Sequence, residues 1–261
     1  MIAMCALALL PPQFPPYYET KYHTQPTDHF NALNADSFQQ RYLINSTWWG
    51  GVSSPLLFYT GAEGSGVDTI FSHSGYLLTL ARSLKALVIF AEMRFFGESM
   101  PFNETGSFER TPTKLGLLSV EQAIADYAAL IAALKVEYHT PDSAVIAVGG
   151  SLAGSLSFWL RSKYPSLVDM ALASSAPILG YPNLTDPFGW YRVATTTYET
   201  QSPGCPANVR RIFSELLASS APAVSRAFNT CTPVPPARLQ NVRKLESSEP
   251  LPEPLRRSHP D

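Results

Sequence analysis

The middle of the chain alternates short apolar runs with amphipathic stretches of helical length, from about Leu56 to Pro177. This alternation is typical of an α/β fold, in which crossover helices connect the strands of a parallel sheet. Because each run is continuously apolar, we expect strands that are buried on both faces. The predicted parallel strands are Leu56–Thr60, Ala86–Ala91, Ala144–Val148 and Met170–Ser174, and a further strand, antiparallel and nearer an edge, is predicted over Gln40–Asn45.

The clearest helix signal begins at Ser119, which is followed three positions later by Gln122, as in a capping box. Apolar residues then recur at steps of three and four, giving one face that we expect to pack on the sheet and to carry no chemistry. Similar patterns predict helices over His73–Lys85 and Leu152–Lys163, the second ending before Pro165. The first apolar face consists of Val120, Ala123, Ile124, Tyr127, Ala128, Ile131 and Leu134.

The pattern changes after Pro177, where a loop precedes two helical patterns, roughly Trp190–Thr200 and Ala207–Ser219. We interpret these helices as the beginning of a cap outside the sheet. From Thr232 the chain has few large apolar residues, many prolines and mixed charge, so we expect disorder. The predicted organisation is a proline-rich leader over 1–26, the sheet domain over 27–186, the start of the cap over 187–231 and a tail over 232–261.

Composition narrows the classes of partner. The 261 residues carry 19 basic and 21 acidic side chains, for a formal net charge of -2. Such a balance provides no strongly basic surface, so we expect neither nucleic acid nor an anionic membrane as a partner. The three cysteines, Cys5, Cys205 and Cys231, lack metal-binding spacing, and we therefore expect no structural zinc and no other metal site.

Two observations favour export, although neither requires it. The initial run MIAMCALALL has the length of a signal-peptide core but no positive residues before it, and it is too short to span a bilayer. Glycosylation sequons begin at Asn45, Asn103 and Asn183, although such tripeptides also arise by chance in intracellular proteins. In an exported chain, Cys205 and Cys231 could form a disulfide, a pairing that the sequence does not establish.

One strand-to-helix turn carries the residues that suggest chemistry. A buried strand ends at Gly149 and Gly150, Ser151 follows, and a helix begins at once. A serine in such a turn is held exposed on a strained backbone, as the nucleophile of a hydrolase is. The pattern G-x-S-x-G is completed here by Ala153, with Gly154 one residue later. The alternative is a serine that only caps the helix, but motif and context together favour the nucleophile.

Such a nucleophile needs two backbone amides that stabilise the oxyanion formed during catalysis. The amide of Leu152, directly after the serine, is the first predicted donor. The second donor comes from a loop after an earlier strand, and a glycine-rich segment follows Thr60. Either Ala62 or Gly61 is therefore the second predicted donor, while an ordinary turn would account for the glycines alone.

Several sequence blocks, in the same order along the chain, resemble the S28 family of serine peptidases. The resemblance extends from about His29 to Cys231 and includes the serine turn. The probability that so many blocks would match in the same order by chance is very small. The blocks are DHFN, QRYLIN, FYTGAEG, VIFAEMRFFGESMPF, LSVEQAIADYA, GGSLAGSL and ALASSAPI.

The resemblance implies an α/β-hydrolase core with a helical cap inserted after the sixth strand. It also implies an exopeptidase without cofactor that cleaves next to proline in peptides, through an acyl-enzyme on Ser151. The expected location is the lysosome, the vacuole or the cell exterior, and a homodimer is compatible with the family. Which end of the peptide is attacked stays open.

The chain also departs from the family. The family usually has tyrosine and glycine where Leu152 and Ala153 stand, and histidine where Met93 stands. The family's charged block is matched by Glu92, Arg94 and Glu98, which we interpret as an ion-pair network bracing a loop.

Hydrolase chemistry on this fold requires an acid and then a histidine after the serine. The aspartates and histidine that follow Ser151 are Asp169, expected on the wrong side of the sheet, Asp186, and the tail residues His259 and Asp261. We therefore expect the amino-terminal part of such a peptidase, weak or inactive by itself. The alternatives are an esterase or lipase on the same fold and a non-catalytic peptidase fragment.

Overall fold

The computed structural model describes residues 17–61, 63–64, 66–102, 112–180 and 184–237. The chain divides into two units, Met1–Leu179 and Gly180–Asp261, which are described separately below. The division lies a few residues before position 186, the predicted end of the sheet domain. Asn103, Asn183 and Ala62, together with Cys5, His259 and Asp261, lie outside the described residues.

The first unit contains a sheet of six strands. The strands are β1 (Glu19–Pro26), β2 (Ser37–Asn45), β3 (Leu56–Thr60), β4 (Leu87–Ala91), β5 (Val145–Gly150) and β6 (Met170–Ser174). Their order across the sheet is β1-β2-β4-β3-β5-β6. Strand β2 is antiparallel to both neighbours, whereas β4, β3, β5 and β6 run parallel. Together with the strand–serine–helix turn after β5, this sheet forms a partial α/β-hydrolase core, as predicted.

Helices cover both faces of this sheet. The first unit contains α1 (Val67–His73), α2 (Gly75–Leu84), α3 (Pro112–Leu115), α4 (Val120–Glu137) and α5 (Leu152–Lys163). Alternate residues of each strand point to opposite faces. Phe58 and Ile89 belong to the core cluster that includes α4 and α5, whereas Leu57 and Val88 belong to the cluster with α1 and α2. The sheet is therefore the middle layer of three.

Two strands differ from the predictions. Strand β1 lies in the segment predicted as a leader. Because its side chains are mostly polar and alternate in exposure, the sequence contains no apolar run that would indicate a strand there. Strand β6 is correctly placed but is exposed, with Met170 at 51% and Leu172 at 44%, so the prediction of burial on both faces is wrong for it. In the sheet that the described residues form, β6 is an edge strand and pairs with β5.

The described residues of the second unit form three helices, α6 (Gly189–Gln201), α7 (Cys205–Ala218) and α8 (Ala221–Phe228). The first two match the predicted helices, while α8 was not predicted. A small apolar cluster joins Ala221 and Val224 to Val234, whose amide also donates to the Ser225 hydroxyl at 2.8 Å. The start of the predicted disordered tail thus makes specific contacts, and residues 238–261 lie outside the described part of the chain.

Candidate active site

Ser151 occupies a sharp turn between β5 and α5. Its backbone has φ 57° and ψ -125°, in a region that residues other than glycine rarely adopt. The Ser151 amide donates to the carbonyl of Ser174 at 3.0 Å, which ties the turn to the end of β6. The Ser151 side chain is exposed, and α5 starts at the next residue. This is the strained, accessible geometry that the sequence motif predicts for a nucleophile.

Close backbone packing explains which positions around the serine are glycine. A Cβ on Gly149 would lie 2.2 Å from the carbonyl carbon of Ala153. A Cβ on Gly154 would lie 2.9 Å from the carbonyl oxygen of Ser174, whereas one on Gly150 would meet nothing nearer than 4.0 Å. The fully buried Ala153 side chain fits at the last position of the motif. The substitution of alanine for glycine there is therefore sterically accommodated, because the close approach to β6 occurs at Gly154.

The loop after β3 starts beside this turn. In the sheet, Tyr59 lies opposite Val148, so the residues after Thr60 emerge next to the residues that follow β5. A Cβ on Gly61 would lie 2.3 Å from the carbonyl oxygen of Ala91, so only glycine fits against β4. Leu152 is the first residue of α5, where the helical amides lack intrahelical acceptors. The other predicted donor, Ala62, lies outside the described residues.

A cleft of about 40 Å³ opens beside the loop after β3. Burial, together with the nearby Glu63 carboxylate, raises the pKa of the Tyr59 hydroxyl, which keeps that hydroxyl neutral. The cleft thus combines apolar walls with a few polar groups, as small-molecule sites do. Its lining residues are Tyr59, Gly61, Glu63, Gly66, Val67, Ile70, Glu92, Met93, Phe96 and Gly97.

The charged block after β4 is a structural ion-pair network, as predicted. The Glu92 carboxylate accepts hydrogen bonds from Arg41 at 3.1 Å, from the Ser99 hydroxyl at 2.8 Å and from the Glu98 amide at 2.9 Å. Arg41 also binds Asp68 through two hydrogen bonds of 2.6 and 2.7 Å. The pKa of the Asp68 carboxyl is lowered, primarily by its hydrogen bonds with Arg41.

Arg94 belongs to a second, fully buried part of this network. Its guanidinium binds both oxygens of Asp126 at 2.7 Å and donates to the carbonyl of Thr27 at 2.8 Å. The ring of His29 binds the same Asp126 carboxylate at 2.7 Å. Helix α4 therefore also contributes a buried carboxylate, from a position that is not part of its predicted apolar face. The side-chain amide of Gln122, one turn before Asp126 on the same side of the helix, donates to Asp28 at 2.6 Å.

The two aspartates after the serine that the structure describes have other partners. Asp169 lies at the amino end of β6, where it accepts a hydrogen bond from the Val145 amide at 2.8 Å. Val145 is the first residue of β5, so Asp169 lies at the opposite end of that strand from Ser151. Asp186 belongs to the second unit and pairs with Arg192. Among the described residues, no carboxylate or histidine is hydrogen-bonded to the Ser151 hydroxyl. His259 and Asp261 lie outside those residues.

Two predicted modification sites lie among the described residues. Asn45 is only 5% exposed, and its side-chain amide donates to the Tyr17 carbonyl and to the Thr47 hydroxyl. Glycosylation at this sequon stays a prediction. Cys205 is half-buried and Cys231 is exposed, and both thiols are free in the structure. A disulfide between them in an exported chain stays a prediction.

Within the ranges that the structure describes, no group of three or more His, Cys, Asp or Glu side chains could hold a metal ion. In the same part of the chain, no helix has the length and apolarity needed to cross a membrane.

Two buried hydroxyls near the serine were missed by sequence reasoning. The Thr60 hydroxyl donates to the Ala153 carbonyl at 2.7 Å, and the Tyr127 hydroxyl donates to the Gly61 carbonyl at 2.9 Å. Both lie at positions where an apolar side chain would give the same pattern of hydrophobicity. The sequence did contain an indication, because Thr60 puts a hydroxyl at the end of a buried strand and Tyr127 puts one in the middle of a buried helix face.

Comparisons with known proteins place this geometry in a family. Lysosomal Pro-X carboxypeptidase of Bos taurus is 37% identical over 235 residues, covering 88% of this chain and 46% of the relative. Prolyl carboxy peptidase like protein 5 of Caenorhabditis elegans is 41% identical over 182 residues, covering 69% of this chain and 35% of the relative. The chain thus spans less than half the length of these curated relatives.

A solved structure of a probable hydrolytic enzyme from Pseudomonas aeruginosa PAO1 superposes with a TM-score of 0.43 at 17% identity, covering 82% of this chain and 54% of the other. The model of the family Serine carboxypeptidase S28 matches residues 25–245. The match continues beyond Cys231, where we had expected the resemblance to stop, because the prolines and mixed charge there had indicated an unrelated tail. The chain belongs to the serine carboxypeptidase S28 family of serine peptidases.

Proposed function

We propose that Ser151 is the nucleophile of a serine peptidase. The observation that supports this most is the combination of an exposed serine hydroxyl, a strained backbone at φ 57°, and a helix that starts at the next residue. The Ser151 hydroxyl makes no capping hydrogen bond to α5, so helix capping does not account for the strained backbone. Strain of this kind is characteristic of catalytic positions, where surrounding structure maintains it.

In this proposal the Ser151 oxygen attacks the carbonyl carbon of the scissile peptide bond and forms an acyl-enzyme, releasing the amine. The amide of Leu152, at the start of α5, stabilises the negative oxygen of the tetrahedral intermediate, together with an amide of the loop that contains Gly61 and Ala62. A histidine must accept the serine proton and return it to the leaving amine. We propose that this histidine and its acid lie outside the described residues, and that the described part alone has little activity.

The substrate class is proposed from the relatives. The relatives that match most of this chain include lysosomal Pro-X carboxypeptidase, whose name gives both a compartment and a bond next to proline. We therefore propose peptides with proline next to the scissile bond as substrates, carboxyl-terminal cleavage, and a lysosomal location. The homodimer implied by the sequence resemblance stays a prediction.

The nucleophile is tested with a fluorophosphonate probe, which reacts covalently with activated serines. We expect labelling of the full chain, and loss of labelling in Ser151→Ala. The matched control is Ser162→Ala, an exposed serine on the same helix. Labelling that persists in Ser151→Ala, or that is absent from a folded chain with native circular dichroism, would contradict the proposal.

The substrate proposal is tested separately, with peptides that end in Pro-Xaa, peptides that begin with Xaa-Pro, and short-chain esters. We expect release of the terminal Xaa from the first group, faster at pH 5 than at pH 7. Release of an amino-terminal dipeptide instead would replace the carboxypeptidase assignment. Hydrolysis of esters alone would favour the esterase alternative.

A further inference from the structure

The Thr60 hydroxyl is a buried polar group that the peptidase mechanism leaves without a role. Thr60 is the last residue of β3, which lies next to β5 in the sheet, and it is 0% exposed. Its hydroxyl donates to the Ala153 carbonyl of α5 at 2.7 Å, the shortest of its contacts. A valine would have almost the same shape but no hydroxyl. The hydroxyl thus makes a specific contact with the helix that begins directly after Ser151.

The acceptor of this hydrogen bond lies where α5 approaches β5 most closely around the serine. A Cβ on Gly149 would lie 2.3 Å from the Ala153 carbonyl oxygen, so the Ala153 peptide rests directly on the Gly149 backbone. Thr60 binds the same carbonyl from the neighbouring strand. The Ser157 hydroxyl, one helical turn later, lies 3.0 Å from that carbonyl and 2.8 Å from the Thr60 hydroxyl. The three side chains and the carbonyl therefore form one buried cluster beneath the serine turn.

This contact determines the shape of the turn that carries Ser151. Gly149 and Ala153 are four positions apart and their backbones touch, so the chain reverses within the three residues between them. Ser151 is the middle residue of these three, and its φ is 57°. Strained backbone of this kind persists only where the surrounding structure fixes it from several sides. A hydrogen bond at the end of the turn therefore supports the strained conformation at its middle.

Backbone hydrogen bonds hold the serine from two other sides. The Ser151 amide donates to the Ser174 carbonyl of β6 at 3.0 Å, and the Ser155 amide donates to the Ser151 carbonyl at 3.1 Å. Together with the Thr60 contact, the turn is thus tied to β6, to its own helix and to β3. Of these three hydrogen bonds, the one from Thr60 comes from a side chain, so a substitution can remove it while the backbone donors and acceptors stay in place.

We propose that Thr60 is a positioning residue, whose hydroxyl holds the first turn of α5 against β5 and so keeps Ser151 in its strained, exposed conformation. This inference rests on the proposed function, because it assigns a task within the same site. Thr60 is fully buried, so it does not reach the substrate and acts through the Ala153 carbonyl.

The test compares three substitutions. Thr60→Val keeps the shape of the side chain and removes the hydroxyl, whereas Thr60→Ser keeps the hydroxyl and removes a methyl group. Thr140→Val is the matched control, because Thr140 is also 0% exposed but precedes β5, and its hydroxyl has no hydrogen-bond partner in the described part of the chain. Circular dichroism and urea midpoints ensure that every variant is folded during the measurements.

We expect the second-order rate constant of fluorophosphonate labelling to fall about tenfold in Thr60→Val, because the nucleophile is still present but less well positioned. Thr60→Ser should label close to the parental rate even where its urea midpoint falls, and Thr140→Val should label at the parental rate. This rescue by serine separates positioning from stability, since a purely structural role would follow the urea midpoint. Equal labelling of folded Thr60→Val and parent, or equally slow labelling of Thr60→Val and Thr60→Ser, would overturn the proposal.

A second measurement does not depend on the nucleophile. Amide hydrogen exchange at Ser151 and Ser155, which reports local opening of the turn, should become faster in Thr60→Val and stay unchanged in Thr60→Ser and Thr140→Val. If the parent chain does not react with the probe, the proposed nucleophile fails, while the exchange result still decides whether Thr60 holds the turn. Unchanged exchange in folded Thr60→Val would overturn the positioning role.

Discussion

Two turns at the carboxyl edge of the sheet are built in opposite ways. The turn after β5 holds Ser151 with backbone contacts, in which Gly149 and Gly154 allow strand and helix to approach closely. The loop after β4 is held by side-chain charges. Both contain left-handed residues, Ser151 at φ 57° in the first, and Phe95 at φ 68° and Gly97 at φ 60° in the second.

The difference separates structural polar groups from a group that is free to react. After β4, the Glu92 carboxylate has three hydrogen-bond donors, and a Cβ on Gly97 would lie 2.2 Å from one of its oxygens. After β5, the Ser151 hydroxyl is exposed and the strain is carried by the backbone alone. A charged cluster in a hydrolase core is thus a weaker indication of catalysis than an unused hydroxyl on a strained turn.

The largest expected effect concerns the fully buried ion pair behind the loop after β4. Removing one partner in Arg94→Met leaves Asp126 in an apolar environment with only His29 as a partner. We expect a loss of about 3–5 kcal/mol in the free energy of unfolding, because an uncompensated buried charge is costly. Urea unfolding followed by circular dichroism measures it.

The control for this prediction is the double variant Arg94→Met with Asp126→Leu, which removes both charges and keeps similar volume. It should recover much of the lost stability, since apolar replacements of a whole buried pair are often neutral. A single variant as stable as the parent would show that the pair does not stabilise the loop, and the contrast between the two turns would then have no energetic basis.

A smaller effect is expected at the serine turn. In Gly149→Ala the new Cβ would lie 2.2 Å from the Ala153 backbone, so β5 and α5 must separate. We expect a loss of about 1–3 kcal/mol in the free energy of unfolding, typical of overpacking, and a strong decrease in probe labelling of Ser151. The matched control is Gly150→Ala, where the nearest atom is 4.0 Å away. Equal effects of the two substitutions would show that backbone packing does not hold the turn.

The sequence predicted those features of the fold that depend on local pattern. Continuous apolar runs identified β3 and β6 to the residue, and the Ser119 hydroxyl caps α4 as its spacing with Gln122 indicated. Strand β1 was missed because its side chains are polar and only partly buried, so that its pairing with β2 and not its pattern defines it. Such a strand exists through tertiary contacts, which no local window contains.

The candidate site was predicted in the same partial way. The Ser151 turn has a motif with fixed spacing, and it was found. Tyr127 and Thr60 act through contacts between residues 66 and 93 positions apart, and an aromatic or β-branched residue at their positions is equally expected in an ordinary core. The Arg94–Asp126 pair is similarly non-local, with its partners 32 positions apart, which is why the sequence indicated an ion pair at Arg94 without identifying its partner.

The smallest expected effect is the pH dependence of the half-exposed ion pair between Arg41 and Asp68. Hydrogen bonds from Arg41 lower the pKa of Asp68 in the folded chain, so the pair stabilises the fold above the unfolded pKa of about 4 and this contribution is lost as the pH falls through the lowered value. Because the Asp68 side chain is 39% exposed, solvent screening limits the contribution to about 0.5–1 kcal/mol.

The difference in unfolding free energy between parent and Asp68→Asn should therefore be present at pH 7 and pH 5 and shrink below pH 4. Asp142→Asn, in an exposed turn before β5, is the matched control for the removal of a surface carboxylate. A difference that stays constant down to pH 2 would mean that the Asp68 charge does not support the loop after β4, and that Glu92 and Glu98 hold Arg41 there.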